Sequence, residues 1–148
     1  MKKKGIIFDF NRTLFNPEKN ELEIGAEKLL HSLYKKNIVL TLISSTLSVD
    51  REKLIYSLTI SKLFKKIIVT SEKKNEKHFS ELISIINADN NNIYVVGDRI
   101  KSEIQIGNKL NLQTIWLKKG KFSTILPEKE NEKPIYTIKN LSEILNFI

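Results

Sequence analysis

Asp9 closes a short apolar run, 5–8, with Asn11 two residues beyond it and Thr13 two beyond that. Ser44 and Ser45 follow a second such run, 38–43, and Asp98 follows a third, 93–97. Three lysines, Lys73, Lys74 and Lys77, stand between another apolar stretch, 66–70, and a helical pattern. Together a carboxylate, a hydroxyl and an ammonium support phosphoryl transfer. The carboxylate attacks phosphorus and forms an acyl phosphate. A divalent metal held by carboxylates screens the repulsion between that nucleophile and an anionic substrate. Hydroxyl and ammonium hold the equatorial oxygens while charge shifts. An isolated Asp after a strand more often caps a turn, so the chemistry depends on these groups meeting in one place.

The elements that would bring them together are legible in the periodicity. The runs 5–8, 38–43, 66–70, 93–96 and 114–117 are short and apolar throughout, which suits strands buried on both faces of a parallel sheet. Between them lie helical patterns: Leu22, Ala26, Leu29, Leu30 and Leu33, ended by Asn37; a short helix capped by Ser48, with Asp50 and Glu52 in its first turn; Phe79, Leu82, Ile83 and Ile86; and Ile104, Gly107 and Leu110, opened by Lys101 or Ser102. Residues 16–20 and 88–92 read as loops. A short sixth strand, 135–138, precedes a final helix that Asn140 caps with Glu143, its apolar face Leu141, Ile144, Leu145 and Ile148. Alternating strands and helices predict an α/β, three-layer Rossmann-like domain. Its central, mostly parallel sheet has about five strands plus the short sixth, with helices on both faces. No linker divides residues 1–148, so one domain is expected. In such a sheet the carboxyl ends of the strands share one edge, where ligands bind.

Composition narrows the partners. The 148 residues are 41% hydrophobic, ordinary for a globular chain. With no cysteine, neither disulfides nor thiolate chemistry are available, which fits a reducing cytoplasm. The basic start, Met1 to Lys4, is followed by an apolar run that stops at Asp9, too short for a signal or a membrane span. A soluble, unprocessed cytoplasmic protein without membrane contact is the expectation. Net charge is +8, yet only Arg12, Arg51 and Arg99 are arginines. Scattered lysine without arginine's fork favours a solvated surface over a nucleic-acid partner. His31 and His78 have no partner by spacing, and Trp116 and Tyr94 fall in strands as core residues.

The segment 8–13, Phe-Asp-Phe-Asn-Arg-Thr, resembles the DxDxT motif of the haloacid dehalogenase superfamily of phosphohydrolases. Ser44 resembles the second motif. Val95-Val96-Gly97-Asp98, with Glu103 beyond it, resembles the fourth. The likeness extends over essentially the whole chain. It implies a phosphatase with Asp9 as nucleophile and magnesium as cofactor, held by Asp9, Asp98 and the backbone carbonyl of Asn11 and supported by Glu103. It implies that Ser44, Ser45 and a lysine hold the phosphate. The family's spacing to Phe79 favours Lys74, with Lys73 and Lys77 as rivals.

The chain departs from the motif at Asn11, where the family's second acid protonates the leaving group and activates water. An amide can do neither, and general acid–base catalysis is worth ~10²–10⁴-fold. A slow enzyme is expected, best on aryl or acyl phosphates; the alternative is a degenerate domain that binds phosphate or a partner without efficient turnover. The intervals from Thr13 to Ser44 and from Ser44 to Lys74 leave no room for the family's cap domains. An open cleft implies either a large phosphorylated substrate, macromolecular or otherwise, or a subunit of a homo-oligomer that covers it; small metabolites remain in play. A phosphorelay receiver domain places its phosphorylated Asp after the third strand, against the order here. A dinucleotide or P-loop reading fails because the five glycines form neither motif.

Overall fold

Every residue of the first strand, β1 (Gly5–Asp9), is buried, as an unbroken apolar run at the centre of a sheet must be. The computed structural model describes residues 2–148. After β1 come a small hairpin, β2 (Phe15–Asn16) and β3 (Glu21–Leu22), then α1 (Ala26–Lys35) and β4 (Val39–Ser45). Next are α2 (Arg51–Ser57), β5 (Phe64–Thr70), α3 (Glu76–Ile86) and β6 (Ile93–Gly97). A wide helical turn, Ile100–Ile104, runs into α4 (Gln105–Lys109), and β7 (Gln113–Leu117) and β8 (Tyr136–Ile138) complete the sheet.

Six strands form one sheet in the order β5, β4, β1, β6, β7, β8, with every pairing parallel. The chain first builds outward from β1 through β4 and β5, then crosses to β6 and builds the other way. Strand order reverses around β1, which is where open α/β sheets leave a crevice at their carboxyl ends. Alternation along β1 divides the core. Ile6 and Phe8 face Leu29, Leu30 and Leu33 of α1, while Ile7 faces Phe79, Leu82 and Ile86 of α3. The fold is the expected three-layer α/β arrangement, and 136–138 is a full member of the sheet. No domain is inserted between β1 and β4 or between β4 and β5; those intervals hold only the hairpin with α1, and α2 with a short 3₁₀ turn. Among the described residues no helix is long and apolar enough to cross a membrane.

Several local expectations are corrected. Leu22 belongs to β3 rather than to the first helix, which starts at Ala26 after Gly25 in a left-handed conformation (φ 84°). The hairpin bends the chain there, and its two-residue strands are too short to register as alternation. The helix after β4 begins at Arg51 rather than beside Ser48, whose hydroxyl instead accepts from the Asp50 N–H. The last helix is 3₁₀, Leu141–Asn146, though its Asn140–Glu143 capping box is present.

Candidate active site

Asp9 is the last residue of β1, Ser44 and Ser45 end β4, and Asp98 directly follows β6. Lys74 lies between β5 and α3. The parallel sheet therefore delivers all of them to one edge.

Local geometry then aims each side chain. Beyond Asp9 the chain coils tightly: the N–H groups of Thr13, Leu14 and Phe15 all donate to Phe10 O, at 3.3, 2.9 and 3.0 Å. Arg12 takes a left-handed backbone (φ 60°) to close this loop, and the rings of Phe10 and Phe15 stack at 4.9 Å. The coil turns buried Thr13 back so that its Oγ1 donates to Asp9 Oδ2 at 3.2 Å. On the other side of the sheet Asn75 caps α3, its Oδ1 accepting from the N–H groups of Lys77 and His78, while His78 Nδ1 accepts from the Asn75 N–H. That box orients the preceding residue, Lys74, inward. Glu103 arrives from the wide turn Ile100–Ile104, a geometry that recurs at functional sites. It packs against Gly97 so closely that a Cβ there would lie 2.6 Å from Glu103 Oε2.

The three lysines separate clearly. Lys74 is buried, and its Nζ donates to Asp9 Oδ1 and Glu103 Oε1, each at 2.5 Å. Lys73 is exposed at the rim of the cleft and Lys77 is exposed on α3. Burial alone would lower the Lys74 value, but Asp9 and Glu103 together overcome it and hold the ammonium charged. Carboxylates shift the other way. Burial first, then the neighbouring Asp9 and Glu103, push Asp98 up to about 8. Burial and Asp9 also raise Glu103, against the opposing pull of Lys74.

Asp9, Asp98 and Glu103 each bring a carboxylate oxygen within 4.8 Å of the others. With all three ionised and Lys74 protonated, the cluster carries two uncompensated negative charges in a buried place. Asp98 Oδ2, Glu103 Oε2 and Asn11 Oδ1 are buried acceptors with no donor. Hard oxygen ligands, unsatisfied and carrying a net charge of −2, are what a divalent cation such as Mg²⁺ requires, so the residues present fit it. The orphaned atom of Asn11 is its side-chain oxygen, which adds a donor to the expected backbone carbonyl.

The two serines differ from expectation in detail. Ser45 lies on the cleft, but its hydroxyl donates to Glu72 O at 2.6 Å, so its proton is already engaged. Ser44 is buried and its Oγ accepts from Arg51 Nη1 at 2.8 Å, which leaves its own proton free to donate. Arg51, at the start of α2, is a residue that spacing alone does not single out. It lies over the Phe10 ring at 5.5 Å, and burial lowers its value while Asp9 raises it. The available signal was scarcity: all three arginines of a chain with 22 lysines gather here, Arg51 on Ser44 and Arg12 and Arg99 on the cleft wall. Trp116 is buried and ties the site to the sheet by donating from Nε1 to Asp98 O at 3.0 Å. The cleft above Asp9 and Asp98 encloses about 400 Å³.

The model of the HAD-hydrolase-like family matches residues 71–144, half of the chain. Among curated proteins, a glyceraldehyde 3-phosphate phosphatase of Methanopyrus kandleri is 24% identical over 123 residues, covering 80% of this chain and 53% of that protein. The Pyrococcus furiosus protein of the same name is 24% identical over 128 residues, covering 84% and 53%. The chain spans about half the length of the curated relatives it matches. Among solved structures, a magnesium-bound protein from Bacillus subtilis described as a HAD-hydrolase has a TM-score of 0.80 at 14% identity, with 99% of each chain covered. That likeness is one of fold.

Proposed function

The chain belongs to the HAD-like hydrolases, and from that premise we propose that it is a magnesium-dependent phosphohydrolase acting through an aspartyl phosphate on Asp9. The observation that carries this reading is the buried cluster itself, in which Lys74 bridges Asp9 and Glu103 while Asp98 and Glu103 keep unpartnered oxygens. Thr13 and Lys74 each engage one oxygen of Asp9, which fixes the carboxylate at the cleft floor. An Asp9 oxygen bonds to phosphorus as the ester P–O bond breaks and the leaving oxygen takes the electron pair. Water then attacks phosphorus, the Asp9–phosphorus bond breaks, and phosphate departs with the carboxylate restored. Ser44, its acceptor side occupied by Arg51, has its proton free for a phosphate oxygen. When bound, Mg²⁺ supplies charge neutralisation between carboxylate and phosphate, with Asp9, Asp98 and Asn11 as its holders and Glu103 supporting them.

Asn11 sets the rate. Its amide neither protonates a leaving alkoxide nor activates water. Activated esters, whose leaving groups need no proton, are therefore the best substrates. The same residue favours a second reading, a domain that binds phosphate with little turnover.

Phosphate release measured with and without Mg²⁺ on aryl and alkyl phosphates, for wild type, Asp9→Asn and Asn11→Asp, tests the proposal. The expected result is metal-dependent release from aryl phosphate that Asp9→Asn abolishes, with Asn11→Asp raising alkyl phosphate turnover by ~10²–10⁴-fold. Release unchanged in Asp9→Asn would overturn the mechanism. Tight, metal-dependent phosphate-analogue binding with no turnover in wild type or Asn11→Asp would favour the binder.

A further inference from the structure

We propose that Arg12 and Arg99, set around the ring of Phe122, form a subsite for a second anionic group on the leaving group. The cleft would then select phosphomonoesters that also carry a carboxylate or a further phosphate. The inference rests on the phosphohydrolase reading of the cleft floor, where the reacting phosphate belongs.

The three residues come from three loops, after β1, β6 and β7, and line the same cleft as Asp9 and Asp98. The Arg99 guanidinium lies 3.9 Å from the Phe122 centroid, with Arg12 at 6.0 Å and Lys121 Nζ at 5.5 Å. A guanidinium stacked on a ring uses its face and keeps its in-plane N–H fork free, which is the geometry that grips carboxylate and phosphate. Among the described residues no carboxylate lies within 4.0 Å of Arg99, although exposed acids are common on this chain. Arg12 pairs only with Glu18, whose side chain is 65% exposed, a contact that water or a substrate anion exchanges at little cost.

Backbone strain at Arg12 points the same way. Its φ of 60° is a left-handed conformation that a residue with a Cβ disfavours and glycine adopts freely. Strained non-glycine residues cluster at ligand clamps, where the side chain is needed. Choice of residue type agrees: lysine fills 22 of the 25 basic positions, yet two of the three cations around this ring are arginine. Three cations around one small ring leave it poorly suited to stacking a nucleobase and well suited to drawing in an anion. On the floor, by contrast, Lys74 is committed to Asp9 and Glu103.

Calorimetric binding to the full chain in Mg²⁺, with propylphosphonate and its near-isostere 3-phosphonopropionate as probes, tests the subsite without turnover. The carboxylate should tighten binding by about tenfold or more, the usual weight of a charged hydrogen-bonded contact. That ratio should collapse towards one in Arg99→Ala and in Arg12→Gly, the second of which relaxes the backbone rather than straining it. Arg99→Lys, which keeps the charge without the fork, should retain part of it. Equal affinity for the two probes, or a preference that survives both substitutions, overturns the subsite and leaves the phosphohydrolase reading standing. Tighter binding of a nucleoside phosphonate, lost in Phe122→Leu but kept in Arg99→Ala, overturns it in favour of base stacking. If neither probe binds and Asp9→Asn leaves phosphate release unchanged, both readings fall.

Discussion

On the floor of the cleft Asp9, Lys74, Asp98 and Glu103 are at most 9% exposed; Lys74 bridges Asp9 and Glu103, Thr13 holds the other Asp9 oxygen, and Asp98 Oδ2 and Glu103 Oε2 stay unpartnered. At its mouth Arg99 is exposed, Arg12 and Phe122 are partly so, and cation–ring contacts at 3.9 and 6.0 Å replace close ion pairing within the cluster. Floor groups stand on strand ends and on a glycine-packed turn, so the fold and the chemistry depend on the same contacts. Mouth groups stand on loops, where a side chain alters what enters with little effect on stability. Under the proposed function, chemistry belongs to the scaffold and selection to the connections.

That contrast is breakable by substitution. The largest effect on stability should come from Lys74→Met, which strands Asp9 and Glu103 without their shared cation. Removing one partner of a buried pair costs about 3–5 kcal/mol, read by urea denaturation at pH 8 in EDTA, and Mg²⁺ should restore part of the loss. A loss below ~1 kcal/mol would mean the floor is not held by charge pairing.

Next in size is Gly97→Ala. A Cβ at that position meets Glu103 Oε2 at 2.6 Å and its Cβ and Cγ at 2.9 Å, so the turn must shift at a cost of about 1–3 kcal/mol. Mg²⁺ affinity should weaken in parallel; unaltered affinity would separate Glu103 from the metal-holding set.

The metal-free protein should also report its floor through pH. Asp98 is raised from its ordinary 3.8 to about 8 by burial and its carboxylate neighbours. Between those values the folded chain keeps a proton that the unfolded chain has lost, so stability falls as pH rises across that window and levels off above it. Denaturation in EDTA at pH 5 and pH 8 should show the decline, and Asp98→Asn should flatten it. Stability that climbs with pH would contradict the assigned environment.

The smallest stability change is expected at the mouth. Arg12→Gly loses an exposed ion pair worth at most ~1 kcal/mol and gains relief from a left-handed backbone, so its thermal midpoint should stay close to that of wild type. A midpoint lowered as far as that of Lys74→Met would erase the distinction between floor and mouth.

Much of this was legible in advance, and the exceptions are physically instructive. Buried strands declare themselves as unbroken apolar runs, so those runs match β1, β4, β5, β6 and β7 to within two residues at either end. The hairpin β2 and β3 does not declare itself, because two-residue strands carry no period, and Leu22 matched the helical spacing by coincidence. Asp9, Ser44 and Asp98 could be read because they end strands. The family's spacing to Phe79 favours Lys74, but charge and periodicity do not separate it from Lys73 and Lys77; what does is the Asn75–His78 capping box that turns Lys74 inward. Arg51 reaches Ser44 across a loop, and no spacing rule encodes that contact.

By itself the sequence determined the alternation of apolar strands and amphipathic helices, and with it the edge to which Asp9, Ser44 and Asp98 are carried. It also determined that Asn11 cannot move protons, because side-chain chemistry is local. Only the tertiary structure decided which lysine is buried, which serine proton is free, and that Arg12 and Arg99 line one cleft while Arg51 holds Ser44 beside it. Those outcomes depend on approach between loops distant in the chain, where burial and hydrogen-bond geometry, rather than residue type, assign each group its partner.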